Sequence, residues 1–200
     1  MAAILLAAGR SRRMGAFKPL LSFGPQTVIE SSVANLCAGG ITDIIVVVGH
    51  GGDEIREKLK AAGVSFVFNP DADTPMGVSI ALGVKQIGDH FEAVLIAPAD
   101  HPAISGDTIG SIVNEWEHGS LLVRPEYEGR GGHPVLVDRK YFAELLHLDP
   151  DRGLRGFFDR HHSETHRLSV NSPFIARDMD TWEDYVALHQ DVFGVPPPQL

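Results

Sequence analysis

A chain of 200 residues with 44% hydrophobic composition can bury a substantial core and falls within the size of one domain. Its formal net charge of -9 excludes the broad basic surface that nucleic acid or an anionic membrane would need, so neither is an expected partner. No apolar run approaches the length of a membrane span, and a single cysteine, Cys37, cannot close an internal disulfide, so a reducing cytoplasm is the expected setting.

Ala2 to Ala8 is an unbroken apolar run, the pattern of a strand buried on both faces of a parallel sheet. It lacks a preceding basic region and leads into an arginine-rich loop, so it reads as a strand and not as an export signal. The loop places Arg10, Arg12, Arg13 and Lys18, four cations within nine residues, between and just beyond Gly9 and Gly15. Glycines at these points let several backbone N–H groups converge on one anion, so the strand end is a predicted phosphate site, with the Ser11 hydroxyl at hand. Neither G-x-x-x-x-G-K-[ST] nor G-x-G-x-x-G is present.

A helix is predicted over Gln26 to Cys37, with Val28, Ile29, Val33, Leu36 and Cys37 on its apolar face; Cys37 is expected to serve as a small core residue. Ile44 to Val48, Val64 to Phe68 and Ala93 to Ala97 read as further strands, separated by helices over Asp53 to Ala62 and Met76 to Ile87. This alternation predicts an α/β fold: a three-layer α/β/α arrangement around a mostly parallel, Rossmann-like sheet, with ligands at the carboxyl ends of the strands. Beyond Asp100 the rhythm loosens, and a mixed, partly antiparallel edge is expected. A helix over Thr108 to Trp116 is followed by strands at Leu121 to Val123 and Pro134 to Val137. Helices at Tyr141 to Leu146 and Leu154 to Arg160, a strand at Thr165 to Val170 and a helix at Thr181 to Gln190 complete the order. Residues 1–193 are read as a single domain and 194–200 as a frayed, proline-rich tail.

Gly9-x-Ser11-x-Arg13-Met14-Gly15-x-x-Lys18, placed after an apolar strand, resembles the signature of the MobA-like nucleotidyltransferases, above all their molybdenum cofactor cytidylyltransferase branch. The resemblance implies a sheet of the nucleotide-diphospho-sugar transferase type. It also implies a nucleotide held by Leu6, Ala7, Ala8, Gly9, Ser11, Met14 and Gly15, with Arg13 and Lys18 neutralising the triphosphate and the departing pyrophosphate. Leu6-Ala7-Ala8-Gly9 matches the L-A-A-G of the pyrimidine-nucleotide branches, which favours CTP over a purine nucleotide.

Nucleotidyl transfer calls for a divalent cation, Mg2+ or Mn2+, held by carboxylate oxygens. Asp100, between a predicted strand and His101-Pro102, resembles the family's G-D-Q-P turn and is a candidate ligand; the other reading makes it a cap on that turn. Asp178-Met179-Asp180-Thr181-Trp182-Glu183-Asp184 resembles D-I-D-T-P-E-D, which implies Asp180 as a second ligand. Asp180 or Thr181 could instead cap the helix that follows.

Asn69, Gly77 and Ser79 resemble the family's segment near base and ribose, although Gly77 and Ser79 could simply open a helix. Tyr127 to Pro134 resembles P-x-Y-x-G-x-x-G-H-P, which implies Gly132, His133 and Pro134 at the acceptor pocket; the alternative is a plain hairpin turn. His161 and His162, adjacent in a polar segment, are expected to be exposed and not to bind metal.

The implied reaction is attack by an acceptor phosphate on the α-phosphorus of CTP, catalysed by Arg13, Lys18 and Asp100. Molybdopterin is the implied acceptor, with a molybdoenzyme or its maturation chaperone downstream. A sugar or alcohol phosphate acceptor, a nicotinamide-dependent reductase and a non-catalytic carrier are the alternatives.

Overall fold

The computed structural model describes residues 1–10, 13–71 and 73–198, which leaves Ser11 and Arg12 of the predicted phosphate loop outside the described residues. Strand β1 (Ala2–Ala7) leads through that loop to a short hairpin, β2 (Ser22–Phe23) and β3 (Gln26–Thr27), and then to α1 (Val28–Ala38). The alternation continues through β4 (Asp43–Val48), α2 (Gly52–Lys58), β5 (Ser65–Phe68), α3 (Met76–Ile87), β6 (Ala93–Pro98) and α4 (Gly106–Glu117). The second half contributes β7 (Leu122–Tyr127), β8 (Arg130–Gly131), β9 (Val135–Asp138), α5 (Phe142–Leu145), α6 (Gly153–Arg160), β10 (Thr165–Ser169) and α7 (Trp182–Phe193).

The main sheet runs β10-β7-β9-β6-β1-β4-β5, with β8 paired to β7. β1 is parallel to both of its neighbours, β4 and β6, which is why its sequence is apolar at every position. Ala3, Leu5 and Ala7 pack with α1, α2 and α4 through Ile29, Ile55 and Ile109. Ala2 and Ile4 pack on the other face with Ile80 of α3, Leu145 of α5 and Phe157 of α6. The expected three-layer α/β/α architecture is therefore present.

β9 runs antiparallel to both β6 and β7, and the register sets Val135 opposite Ile96. The start of β9 consequently lies beside the carboxyl end of β6, where Asp100 follows. A third cluster, Met14, Phe23, Met179, Tyr185 and Leu188, seats α7 on the phosphate loop and the hairpin. The Tyr185 hydroxyl donates to the Ser22 carbonyl at 2.6 Å, and the Gly24 amide donates to His189 Nε2 at 3.2 Å. α7 is thereby held where its leading segment, residues 178–180, can reach the strand ends.

Several expectations need correction. Cys37 is exposed, because Ile29, Val33 and Leu36 already fill the contact between α1 and the sheet. Gln26 and Thr27 belong to the hairpin and not to α1, and the Thr27 amide donates to Glu30 in the first turn at 2.8 Å. α2 stops at Lys58, short of the expected Ala62, and Leu59 just beyond its end is buried in the core. The tail is tied at its start, since His189 Nδ1 and the Val195 carbonyl lie 2.7 Å apart. His161 is not exposed either: its side chain retains 15% of its accessibility and its two ring nitrogens meet Glu144 and Glu164. Among the described residues no helix is long and apolar enough to cross a membrane.

Candidate active site

A cavity of about 240 Å³ opens at the carboxyl ends of β1, β5 and β6. Residues 6–9 line it where β1 becomes the loop; Asn69, Met76 and Ser79 line it from β5 and α3, and Lys18 and Asp100 line it as well. Leu6, Ala7, Ala8 and Gly9 are thus together at one cavity. Two other loop residues do different work. Met14 is buried against Met179 and Leu188, anchoring the loop, and Gly15 turns it at φ +69°, a left-handed conformation that side-chain-bearing residues rarely adopt.

Lys18 is nearly buried and carries the densest contacts of the site. Its Nζ donates to Asp180 Oδ1 at 2.8 Å and lies 3.6 Å from Asp100 Oδ2. Arg13 approaches the other Asp180 oxygen at 2.5 Å. The Lys18 hydrogen bond, with both cations nearby, holds the Asp180 carboxyl below its usual range despite partial burial. Asp178 lies close by and shows the opposite tendency: burial, then the like charges of Asp180 and Asp100, push it up. Asp178 was not singled out from sequence. Its signal was present in the acidic run 178–180, but only packing shows that it faces the other two.

The hydrogen bonds bear on two alternatives left open by the sequence. Asp180 does not cap α7, because Thr181 does so: its hydroxyl accepts from the Asp184 amide at 3.1 Å while its own amide donates to Asp184 Oδ2 at 2.8 Å. Among the described residues Asp100 makes no hydrogen bond to the turn before Pro102; its carboxylate faces Lys18 and, at 3.9 Å, His101 Nε2.

Asn69 braces the loop between β5 and α3. Its Nδ2 donates to Ser79 Oγ at 3.0 Å and to Thr74 Oγ1 at 3.1 Å, and its Oδ1 accepts from the Asp71 amide at 3.1 Å. Both Asn69 and Ser79 line this cavity, whereas Gly77 lines a neighbouring one together with His133. Burial, then nearby His101 and Arg124, lower the His133 pKa to about 4, so the ring is neutral at pH 7. His133 and His101 pack edge to face with ring centroids 5.5 Å apart, and the Nδ1 atom of each is buried without a hydrogen-bond partner. Gly132 is required by backbone proximity, since a side chain there would strike the Ile175 carbonyl. Pro134 is turned away from both cavities toward Leu5, Ala97 and Ile109.

Residues 3–165 match the MobA-like NTP transferase domain. The chain belongs to this family. It is accordingly a nucleotidyltransferase, and its relatives carry the same class of activity in their names. Molybdenum cofactor cytidylyltransferase of Escherichia coli (strain K12) is 25% identical over 186 residues, covering 92% of each protein. Among solved structures, the Mycobacterium tuberculosis rv0371c homolog from mycobacterium sp. strain JC1 superposes with a TM-score of 0.84 at 27% identity, covering 96% of each chain. Rv0371C of Mycobacterium tuberculosis H37Rv, solved as a complex with manganese, shares the fold with a TM-score of 0.78 at 22% identity over 94% of this chain and 97% of that one. In this MobA-like NTP transferase the cavity lies at the carboxyl ends of the central strands, beside Lys18 and Asp100.

Proposed function

We propose that the protein transfers CMP from CTP to a phosphate-bearing acceptor, with release of pyrophosphate, and that molybdopterin is that acceptor. The observation that carries the reading is a single ammonium group, Lys18 Nζ, poised within 4 Å of two aspartates beside a cavity lined by Leu6 to Gly9. The Leu6-Ala7-Ala8-Gly9 sequence and the likeness to a cytidylyltransferase over nearly the whole chain support CTP as donor.

Asp100 and Asp180 would hold a divalent cation, Mg2+ or Mn2+. The fit is supported by the donor set, since two carboxylates already bracket one cationic atom and hard oxygen ligands suit either metal. Among the described residues no three acidic, cysteine or histidine side chains converge on a common point. A site of two carboxylates completed by phosphate oxygens and water is the usual arrangement for such a cation in phosphate chemistry. When bound, the cation offsets charge on the phosphates as pyrophosphate leaves.

The chain's own residues supply position and charge. Arg13 and Lys18 exchange Asp180 for phosphate oxygens, which leaves the carboxylate available to the cation. Gly9 and Gly15 give the phosphate loop the backbone freedom that anion binding by amides requires, and Met14 anchors it. Asn69 and Ser79 lie along the cavity wall on the side of α3, where a base and ribose would rest. No covalent intermediate on the protein is needed, because phosphoryl-type transfer depends chiefly on alignment and charge neutralisation.

Incubation with each nucleoside triphosphate, magnesium and molybdopterin, with pyrophosphate as the readout, tests the reading. Release with CTP is expected and release with GTP or ATP is not. Absence of pyrophosphate with every triphosphate would overturn the transfer, and a response to a sugar or alcohol phosphate alone would reassign the acceptor.

A further inference from the structure

Ser32 and Asn35 stand one turn apart on α1, so both side chains leave the same face of the helix. That face meets the turn of residues 99–102, which carries Asp100 beyond the end of β6. Asn35 Nδ2 donates to the Pro102 carbonyl at 2.9 Å. The buried Ser32 hydroxyl lies 3.2 Å from the Ala99 carbonyl and 3.0 Å from the Val28 carbonyl one helical turn back, and its single proton is shared between them. The Ala99 amide in turn donates to the Leu6 carbonyl of β1 at 3.0 Å. The backbone is therefore held immediately before Asp100 and again at Pro102. Between α1 and the turn remains a cavity of about 10 Å³ bounded by Ser32, Asn35, His101 and Ile104, room for one water at most.

The Asp100 carboxylate has no hydrogen bond of its own among the described residues, since Lys18 Nζ at 3.6 Å and His101 Nε2 at 3.9 Å both lie beyond hydrogen-bond length. Asp180, by contrast, accepts from Lys18 at 2.8 Å. Where the Asp100 carboxylate stands is thus set by its backbone, and that backbone is gripped from α1. The same helix reaches the other side of the site: the Val28 amide donates to the Leu21 carbonyl at 2.9 Å, and the Leu21 amide donates to the Lys18 carbonyl at 3.1 Å. α1 is itself firmly seated. Ile29, Val33 and Leu36 lie in the core, and α4 approaches so closely that a side chain at Gly39 would strike Ile109 and one at Gly106 would strike Ala38. The helix acts as a rigid spacer between Lys18 and Asp100.

We infer that Ser32 and Asn35 are positioning residues for the reaction: by gripping the carbonyls on either side of Asp100 they hold its carboxylate at the point where a divalent cation binds. The inference rests on the function proposed above, because it takes Asp100 as a ligand of that cation. Neither side chain touches substrate, and each acts through the backbone of Asp100.

The test measures Mn2+ binding by electron paramagnetic resonance in the full chain carrying α,β-methylene CTP. Asp100→Asn is the reference that separates ligation by the protein from chelation by the analogue. Ser32→Ala/Asn35→Leu should weaken Mn2+ binding per folded molecule by about tenfold or more, the usual cost of losing groups that orient a metal ligand. Its affinity for the analogue without metal should equal that of the wild type, and Ser32→Thr, which keeps the hydroxyl, should bind Mn2+ as the wild type does. Wild-type Mn2+ affinity in the double variant, or an equal loss of metal-free analogue binding, would overturn the inference while leaving the proposed transfer intact. Should the double variant not fold, Ser32→Ala against Ser32→Thr decides: weaker Mn2+ binding by the alanine variant alone supports the grip, and equal binding overturns it. Mn2+ binding that is unchanged in Asp100→Asn would remove Asp100 from the cation, and both readings would fall.

Discussion

At the edge formed by α5, α6 and β10, His161 sits between Glu144 at 3.0 Å and Glu164 at 3.1 Å, and the Tyr141 hydroxyl donates to Glu164 at 2.7 Å. Lys140 and Arg160 complete the two carboxylates, so each charge in this cluster meets its opposite. At the strand ends the same residue types are arranged differently: Asp100 and Asp180 both lie at Lys18, Asp180 also meets Arg13, Asp178 is close by, and the His101 and His133 imidazoles each keep an unpaired Nδ1. The first cluster is complete as it stands and its role is to hold elements together. The second has an excess of negative charge near the cations that a triphosphate would claim. On the function proposed above, a metal–triphosphate complex would supply both missing signs at once, whereas the cluster around His161 needs nothing further.

Substitution at the strand-end cluster should give the largest effects. Lys18→Ala is expected to lower turnover by about a hundredfold or more, the cost of losing a preorganised charge at a reacting phosphate. Its thermal unfolding should remain cooperative, and undiminished turnover would remove Lys18 from the chemistry. Asp100→Asn and Asp180→Asn should each abolish the magnesium-dependent rate measured by pyrophosphate release. Thr181→Ala sharpens the contrast: loss of the cap should cost about 1 kcal/mol in denaturant unfolding while the rate per folded molecule persists.

The closed cluster should respond to pH and not to substrate. His161, held above its usual range chiefly by Glu144, contributes stability in full below its unfolded value of 6.5, and the contribution fades as pH rises through the raised folded value. Glu164, held down to about 2 chiefly by the Tyr141 hydroxyl, contributes above its unfolded value of 4.5 and loses that contribution as pH falls. The melting difference between wild type and His161→Gln should therefore be widest between pH 4.5 and 6.5. Smallest of all, Cys37→Ala should shift stability by less than about 0.5 kcal/mol, and a thiol reagent should label Cys37 in the native protein.

The central strands were legible because burial on both faces writes itself as continuous apolar runs, as in Ile44 to Val48. The hairpin β2–β3 and strand β8 were not, because two-residue strands carry no period to read. Around the site, Gly9, Arg13 and Lys18 stood out by local density of charge and glycine. Asp180 was ambiguous because the Thr181–Asp184 capping pattern overlies the acidic run, and only the hydrogen bonds separate the two roles. The meeting of His101 with His133 depends on the reversed direction of β9, which no local pattern announces.

The reversal of β9 also divides labour along the polypeptide. The whole lining of the strand-end cavity is encoded by residues 6–100, whereas the loop entering β9 and the start of α6 arrive from the later half to line the neighbouring cavity, and only residues 178–180 reach from there to Lys18 and Arg13. Exchanging residues 128–133 and 150–155 for those of a relative should therefore transplant acceptor preference without rebuilding the donor half. A protein arranged this way can diversify its products over evolutionary time by editing a single border.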